Sequence, residues 1–349
     1  MVIAVDAMGG DFAPREVVAG AVVASRSVDA EITLVGDKAQ IEPLLCELAR
    51  PNNGPGRLTV RHSTGVVEMD VSPRAALHRD HESSMADSIE MVRQEEADAV
   101  VSAGNSGAYM ALATMRLKRI GQISRPAIAI PLPTARGPSI LLDAGANADC
   151  KPRHLLEFAM MGSCYAESVL ERTEPTVGLL SIGEEPSKGN ALTREAYSLI
   201  SEAPVKFIGN VESDEVLNGS VDVVVCDGFV GNVVLKTYEA IANFLFAHLK
   251  ERCQKSLLTR LGAFLMRPVF RGMHADYNYA EYGGALLLGV NGVCVVGHGR
   301  SGSKAISRAI AVAADAVDHQ ILERMKVSMK QLSQANSDKP VEAEMLSDA

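Results

Sequence analysis

Six stretches of the sequence combine glycine with small polar or charged residues: DAMGGD (6–11), SAGNSGA (102–108), LLDAGAN (141–147), SIGEEPSKGN (181–190), CDGFVGN (226–232) and GHGRSGSKA (297–305). Such residues suit anion chemistry. Glycine lets the backbone turn sharply and approach a ligand, and a helix that starts at such a turn offers N–H donors and the positive end of its dipole. In SAGNSGA, Gly104 makes the turn, Asn105, Ser106 and Gly107 present N–H groups, and Ser106 adds a hydroxyl, an arrangement that suits phosphate. A helix cap without a ligand accounts for the same residues. In GHGRSGSKA, His298, Arg300 and Lys304 flank a turn whose Ser301 or Ser303 can cap the next helix, and the three cations together favour an anion site.

The other turns are more ambiguous. In CDGFVGN, Gly228 and Gly231 allow close approach, and Asp227 and Asn232 are the polar groups of a ligand turn or of a plain strand-to-helix turn. Lys236 follows one turn later and faces either solvent or site. SIGEEPSKGN carries Glu184, Glu185 and Lys188, either as site groups or as a solvated loop. In DAMGGD, Asp6 and Asp11 flank Gly9 and Gly10; acids there would repel a pyrophosphate, so the stretch reads as a backbone hinge that also lines the site. Asp143 and Asn147 of LLDAGAN hold a turn or a basic partner. The sequence contains no Walker A motif, nucleophile elbow, HExxH or EF-hand loop, and no covalent serine or cysteine is indicated.

These turns need strand ends to position them. Apolar runs at 2–6, 31–35, 58–61, 98–102, 127–131, 139–143, 176–182, 205–208, 221–226 and 293–296 read as strands, and 14–27, 83–96, 152–172 and 192–202 as amphipathic helices. Strands apolar on both faces and separated by helices predict a mostly parallel sheet covered on both sides, with ligands bound beyond the strand ends. Residues 1–330 are expected to form one α/β catalytic unit, and 331–349 a loose polar tail.

Composition narrows the partners. A net charge of −9, no Trp and 4% aromatic residues argue against nucleic acid. The six cysteines form no CxxC pair and read as packed thiols in a reducing cytosol, with no metal site. Residues 252–275 are different: Arg252, Lys255, Arg260, Arg267 and Arg271 occur with no acid. On a helix, Leu257, Leu258, Leu261, Phe264 and Leu265 share one arc with Arg260 and Arg267 at its edge, until Pro268 ends it. Such a segment suits an anionic membrane surface, an acidic protein partner or a subunit interface.

Taken in order, DAMGGD, SAGNSGA, LLDAGAN, GEEPSKGN, CDGFVGNVVLKT, YGGALLLGVNG and HGRSGSKAI resemble the bacterial acyl-carrier-protein:phosphate acyltransferase family of phospholipid synthesis, over residues 3 to 312. The resemblance implies a three-layer α/β/α fold of the isopropylmalate-dehydrogenase and phosphate-acetyltransferase group, a homodimer, and no cofactor. It also implies transfer of a long acyl chain from acyl-carrier protein to inorganic phosphate, whose acyl phosphate product a membrane glycerol-3-phosphate acyltransferase consumes. The site expected on this basis places phosphate on Asn105, Ser106, Gly107 and Lys304, with Lys188, Asp227, Asn232 and His298 catalytic. Asp6, Gly9, Gly10, Asp143 and Asn147 would contact substrate, and Arg260, Leu261, Phe264, Leu265, Arg267 and Arg271 would dock membrane or carrier. The expected location is cytoplasmic and peripheral to the membrane. An NAD(P) oxidoreductase of the dehydrogenase fold and a non-catalytic lipid- or carrier-binding scaffold are the alternatives.

Overall fold

A computed structural model describes residues 1–49, 57–79, 82–277 and 283–337. Eleven strands among them form one sheet: β1 Val2–Asp6, β2 Glu31–Gly36, β3 Leu58–His62, β4 Ala99–Ser102, β5 Ala127–Leu132, β6 Ser139–Leu142, β7 Thr176–Leu180, β8 Lys206–Val211, β9 Val223–Val225, β10 Ala285–Leu288 and β11 Val293–Val296. The helices are α1 Arg15–Ala24, α2 Lys38–Leu48, α3 Pro73–Arg79, α4 Ser84–Arg93, α5 Ser106–Leu117, α6 Pro152–Ser168, α7 Ala191–Ser201, α8 Ser213–Asn218, α9 Gly228–Cys253, α10 Leu257–Leu265, α11 Arg267–Tyr277, α12 Ser303–Asp318 and α13 Ile321–Ser337.

Alternating strand side chains feed two cores. Ile3, Val5, Val101 and Val225 pack on one face with Val18 of α1, Phe158 of α6, Ile306 of α12 and Met325 of α13. Ala4, Val100, Cys294 and Val224 pack on the other with Ile89 of α4, Leu112 of α5 and Leu235 of α9. This burial on both faces explains why the strands read as continuous apolar runs, and it makes the three layers expected from sequence.

Two readings change. The strand β10 lies in the glycine-flanked stretch YGGALLLG, whose motif-like look hides an ordinary buried strand. The residues from Gln331 do not begin a loose tail: α13 continues to Ser337 and buries Leu332, while 338–349 lie outside the described residues.

Sheet order is β3-β2-β1-β4-β11-β10-β5-β6-β9-β7-β8. The strands β3, β2, β1, β4 and β11 run parallel, as do β6, β9, β7 and β8. Between the groups, β11–β10, β10–β5 and β5–β6 pair antiparallel. Three reversals set the two parallel groups in opposite directions. The glycine turns therefore leave opposite edges of the sheet: 6–11, 102–108 and 297–302 from one, and 143–147, 181–190 and 226–232 from the other.

Candidate active site

At the first edge, four segments converge. The Asp11 N–H donates to the Gly299 carbonyl at 2.8 Å, and the Gly297 N–H to that of Ser102 at 2.7 Å. Gly10 has φ +109°, and a side chain there would lie 3.1–3.2 Å from the Gly299 and Ala103 carbonyl oxygens. Asn105 caps α5 through an Ala108 N–H···Oδ1 bond of 3.0 Å, and its amide donates to the Met69 and Val71 carbonyls at 2.9 and 2.8 Å. Asn105 is thus the bolt between two loops. The N–H groups of Ser106 and Gly107 open α5, where no carbonyl lies one turn earlier to receive them. Ser106 is exposed.

Asp6 lies under this turn, 1% exposed. It accepts from Ser84 Oγ at 2.6 Å and Ser102 Oγ at 2.7 Å, and Ser102 Oγ accepts the Gly104 N–H at 3.1 Å. Its carboxylate is therefore a brace for the turn at Gly104 rather than a group on the surface. Burial pushes its pKa up, and the hydrogen bonds from Ser84 and Ser102 pull it partly back. Native protein consequently holds this proton to higher pH than unfolded chain does, and stability is lost as pH rises through the native pKa. Asp6→Asn should flatten that loss, read as the difference in urea midpoint between variant and wild type across acidic to neutral pH.

The last glycine turn departs from expectation. The cap of α12 is Gly302, without a side-chain bond, and neither Ser301 nor Ser303 caps it. The Glu16 carboxylate of α1 accepts the Ser303 N–H at 2.7 Å, so a protein acid already holds that helix start. His298 is exposed and its Nδ1 accepts the Arg300 N–H at 3.1 Å. Lys304 is exposed on the first turn of α12. Phe12, Val66 and Met69, 40–50% exposed, add apolar surface to this edge. Sequence reasoning passed over HSTGVVEMDVS (62–72) and Ser84; the signal was an apolar, glycine-broken run unsuited to either helix or strand.

At the opposite edge, Asp143 is fully buried and accepts five hydrogen bonds: N–H groups of Ile128, Gly145, Ala146 and Asn147, and the Asn147 amide, at 2.7–3.1 Å. Burial raises its pKa against those donors. Asn147 also donates to the Pro126 carbonyl at 2.8 Å and accepts the Gly228 N–H at 2.8 Å. Asp143 and Asn147 hold the turn, and nothing of Asp143 reaches the surface. Asp227 caps α9 through Val230 N–H at 2.9 Å, and Asn232 is exposed over Gly145. Lys188 is exposed in its loop; Lys236 pairs with Glu239 at 3.3 Å and so faces solvent. Cys150 lies near Asp143 and Asp227, and burial with their charges pushes its thiol to about 12, so no ready thiolate is present there.

The structure thus separates residues expected in one site. From β4 to β9 is five strand spacings, or about 24 Å across the sheet, before the strand length is added. Asn105, Ser106, Gly107, His298 and Lys304 share one edge; Lys188, Asp227 and Asn232 stand at the other. No single chain brings them to one phosphate.

Helix α9 links the edges. Gly231 packs against Asp143, and Tyr238 donates to the Pro133 carbonyl, beyond the far end of β5. The remaining residues, to Cys253, run on past the first edge for roughly 20 Å at 1.5 Å per residue. Ser256 caps α10 with Thr259, and Pro268 stands in the first turn of α11, where its missing N–H is tolerated. Leu257, Leu258, Leu261, Phe264 and Leu265 of this arm are 59–83% exposed. The arm and the Asn105–Gly107 turn therefore share one end of the molecule.

The fold defines a structural class. Solved structures that share the fold include a phosphotransacetylase from Streptococcus pyogenes (TM-score 0.63, 16% identity, 91% of this chain and 94% of that one). A 4-hydroxythreonine-4-phosphate dehydrogenase from Klebsiella pneumoniae also shares it (TM-score 0.54, 11% identity, 90% and 98%). At such identities the likeness is one of architecture. Residues 1–324 match the family described as Fatty acid synthesis protein. Relatives named phosphate acyltransferase are 48% identical over 332 residues in Pelotomaculum thermopropionicum (95% of this chain, 96% of the relative) and 50% identical over 313 in Geotalea daltonii (90% of each). The chain belongs to this phosphate acyltransferase family of fatty acid and phospholipid synthesis.

Proposed function

We propose that the protein transfers a long-chain acyl group from acyl-carrier protein to inorganic phosphate, releasing acyl phosphate and the carrier thiol. The observation that carries this reading is the Asn105–Ser106–Gly107 helix start, braced from below by Asp6 and flanked by His298, Lys304 and the apolar Phe12, Val66 and Met69. Phosphate is already an anionic nucleophile and a thiolate leaves readily. The protein's tasks are to fix phosphate against the thioester carbonyl and to stabilise the developing oxyanion. Backbone N–H groups, the Lys304 ammonium and the His298 imidazole serve both, and no cofactor is needed. Phosphate-dependent thiol release from palmitoyl-acyl-carrier protein tests the assignment.

For Lys188, Asp227 and Asn232 to act on the same phosphate, a second copy must supply them. A homodimer in which the exposed ridge of α9 (Phe229, Val233, Ile241, Phe244, Leu245) pairs antiparallel with its mate would bring one copy's Asn232 end toward the other's Asn105 edge. Mixing inactive Lys188→Ala with inactive Ser106→Pro, after subunit exchange, should then restore up to about a quarter of wild-type activity, since only mixed dimers hold one intact site. No recovery despite verified exchange would remove Lys188 from the site.

The arm would dock a cytoplasmic enzyme reversibly on an anionic membrane, where a glycerol-3-phosphate acyltransferase consumes the product. Among the described residues no helix is long and apolar enough to cross a membrane. Reversing Arg260, Arg267 and Arg271 to Glu should abolish sedimentation with anionic liposomes while the KM for acyl-carrier protein stays within twofold. Intact liposome binding with a raised KM would assign the arm to the carrier.

A further inference from the structure

The arm has a second, inward face. The end of α9, with α10 and α11, lines an open cleft of about 570 Å³. Phe246, Ala263, Phe264 and Phe270 give it apolar walls, and Lys250, Arg260, Arg267 and Arg271 surround it with positive charge. No acid lines it. None of the four cations makes an ion pair or side-chain hydrogen bond with the described residues. Leu257, Leu258, Leu261 and Leu265, which form the outward apolar face, are not among its lining residues.

We infer that this cleft is a binding site for a single-chain amphiphile with an anionic head, a long-chain alkyl or acyl phosphate or carboxylate. Four like charges around one apolar space repel each other until an anion enters. Guanidinium groups pair with phosphate or carboxylate through two parallel hydrogen bonds, and the phenyl rings remove an alkyl chain from water. The volume lies within the roughly 300–1,000 Å³ of ordinary small-molecule sites. A headgroup on a membrane surface needs charge without an apolar cleft beside it; cations and phenyl rings that line one cleft suit the head and the chain of a single amphiphile. Only the source of the ligand depends on the acyltransferase reading, whose product has this chemistry. The binding itself does not.

The test is titration of the full chain with monohexadecyl phosphate below its aggregation concentration, without vesicles, by calorimetry. Alkylation of Cys253, which lines the cleft, is followed by peptide mass spectrometry. Saturable binding is expected, with Cys253 protected and the exposed Cys46 unaffected. Hexadecanol and hexadecyltrimethylammonium should bind at least tenfold more weakly, and palmitate against hexadecyl phosphate shows which head is preferred. Arg260→Glu with Arg267→Glu should weaken binding at least tenfold by charge, and Ala263→Trp should do so by filling the space, each with unchanged far-ultraviolet circular dichroism. Equal affinity for the uncharged alcohol, or affinity and Cys253 reactivity unchanged by both variants, would overturn the inference. Loss of acyl-transfer activity alone would leave it standing.

Discussion

Ser106→Pro keeps the fold and lowers kcat/KM for phosphate by about 100- to 1,000-fold, or roughly 2.7–4 kcal/mol. Ser106 is the first helical residue of α5, directly after the Asn105 cap. Proline is favoured at that position because its fixed φ suits the helix and the N–H it lacks has no helical partner. Asn105 sits at φ −57°, ψ 109°, an extended geometry that a following proline accepts. The substitution therefore removes one N–H and one hydroxyl from the proposed oxyanion and phosphate ligands while leaving helix, cap and brace in place. Steady-state kinetics with phosphate as the varied substrate, beside a melting curve, checks it. A melting temperature within a few degrees of wild type and a lost rate support the site. Near-normal kcat/KM would move the phosphate elsewhere.

Asp143→Ala should have the largest effect on stability, more than about 3 kcal/mol. Five donors converge on one buried carboxylate, and removing the acceptor strands them without water, at about 1–3 kcal/mol for each that finds no new partner. The bonds join the start of β5, the turn after β6 and, through Asn147, the start of α9. Gly231→Ala tests the same junction by another route, because a methyl group there would collide with the Asp143 carbonyl. Urea unfolding should show both midpoints lowered together. A variant within 1 kcal/mol of wild type at either position, a bound on the order of ordinary surface substitutions, would contradict the packing described.

The sheet was legible because its strands are apolar on both faces and end in glycine turns. Asn105 as a cap, the strand-to-helix turn at Asp227 and Pro268 as a helix boundary were legible for the same local reasons. What local pattern could not convey was direction. The reversals at β10 and β5 depend on which distant strands pair, and those pairings place Lys188 and Asp227 across the sheet from Asn105. The roles of Asp6 and Asp143 were hidden too: a carboxylate beside glycines looks alike in sequence whether it faces a ligand or is buried under its own turn. Glu16, nearly three hundred residues from the helix start it caps, had no sequence signal.

The central claim rests most directly on thiol release from palmitoyl-acyl-carrier protein by the purified protein, with and without inorganic phosphate, and with hydroxylamine to trap acyl phosphate. Release that requires phosphate and yields the hydroxamate is the predicted result. Release that ignores phosphate, or none in either condition from folded protein, would contradict it.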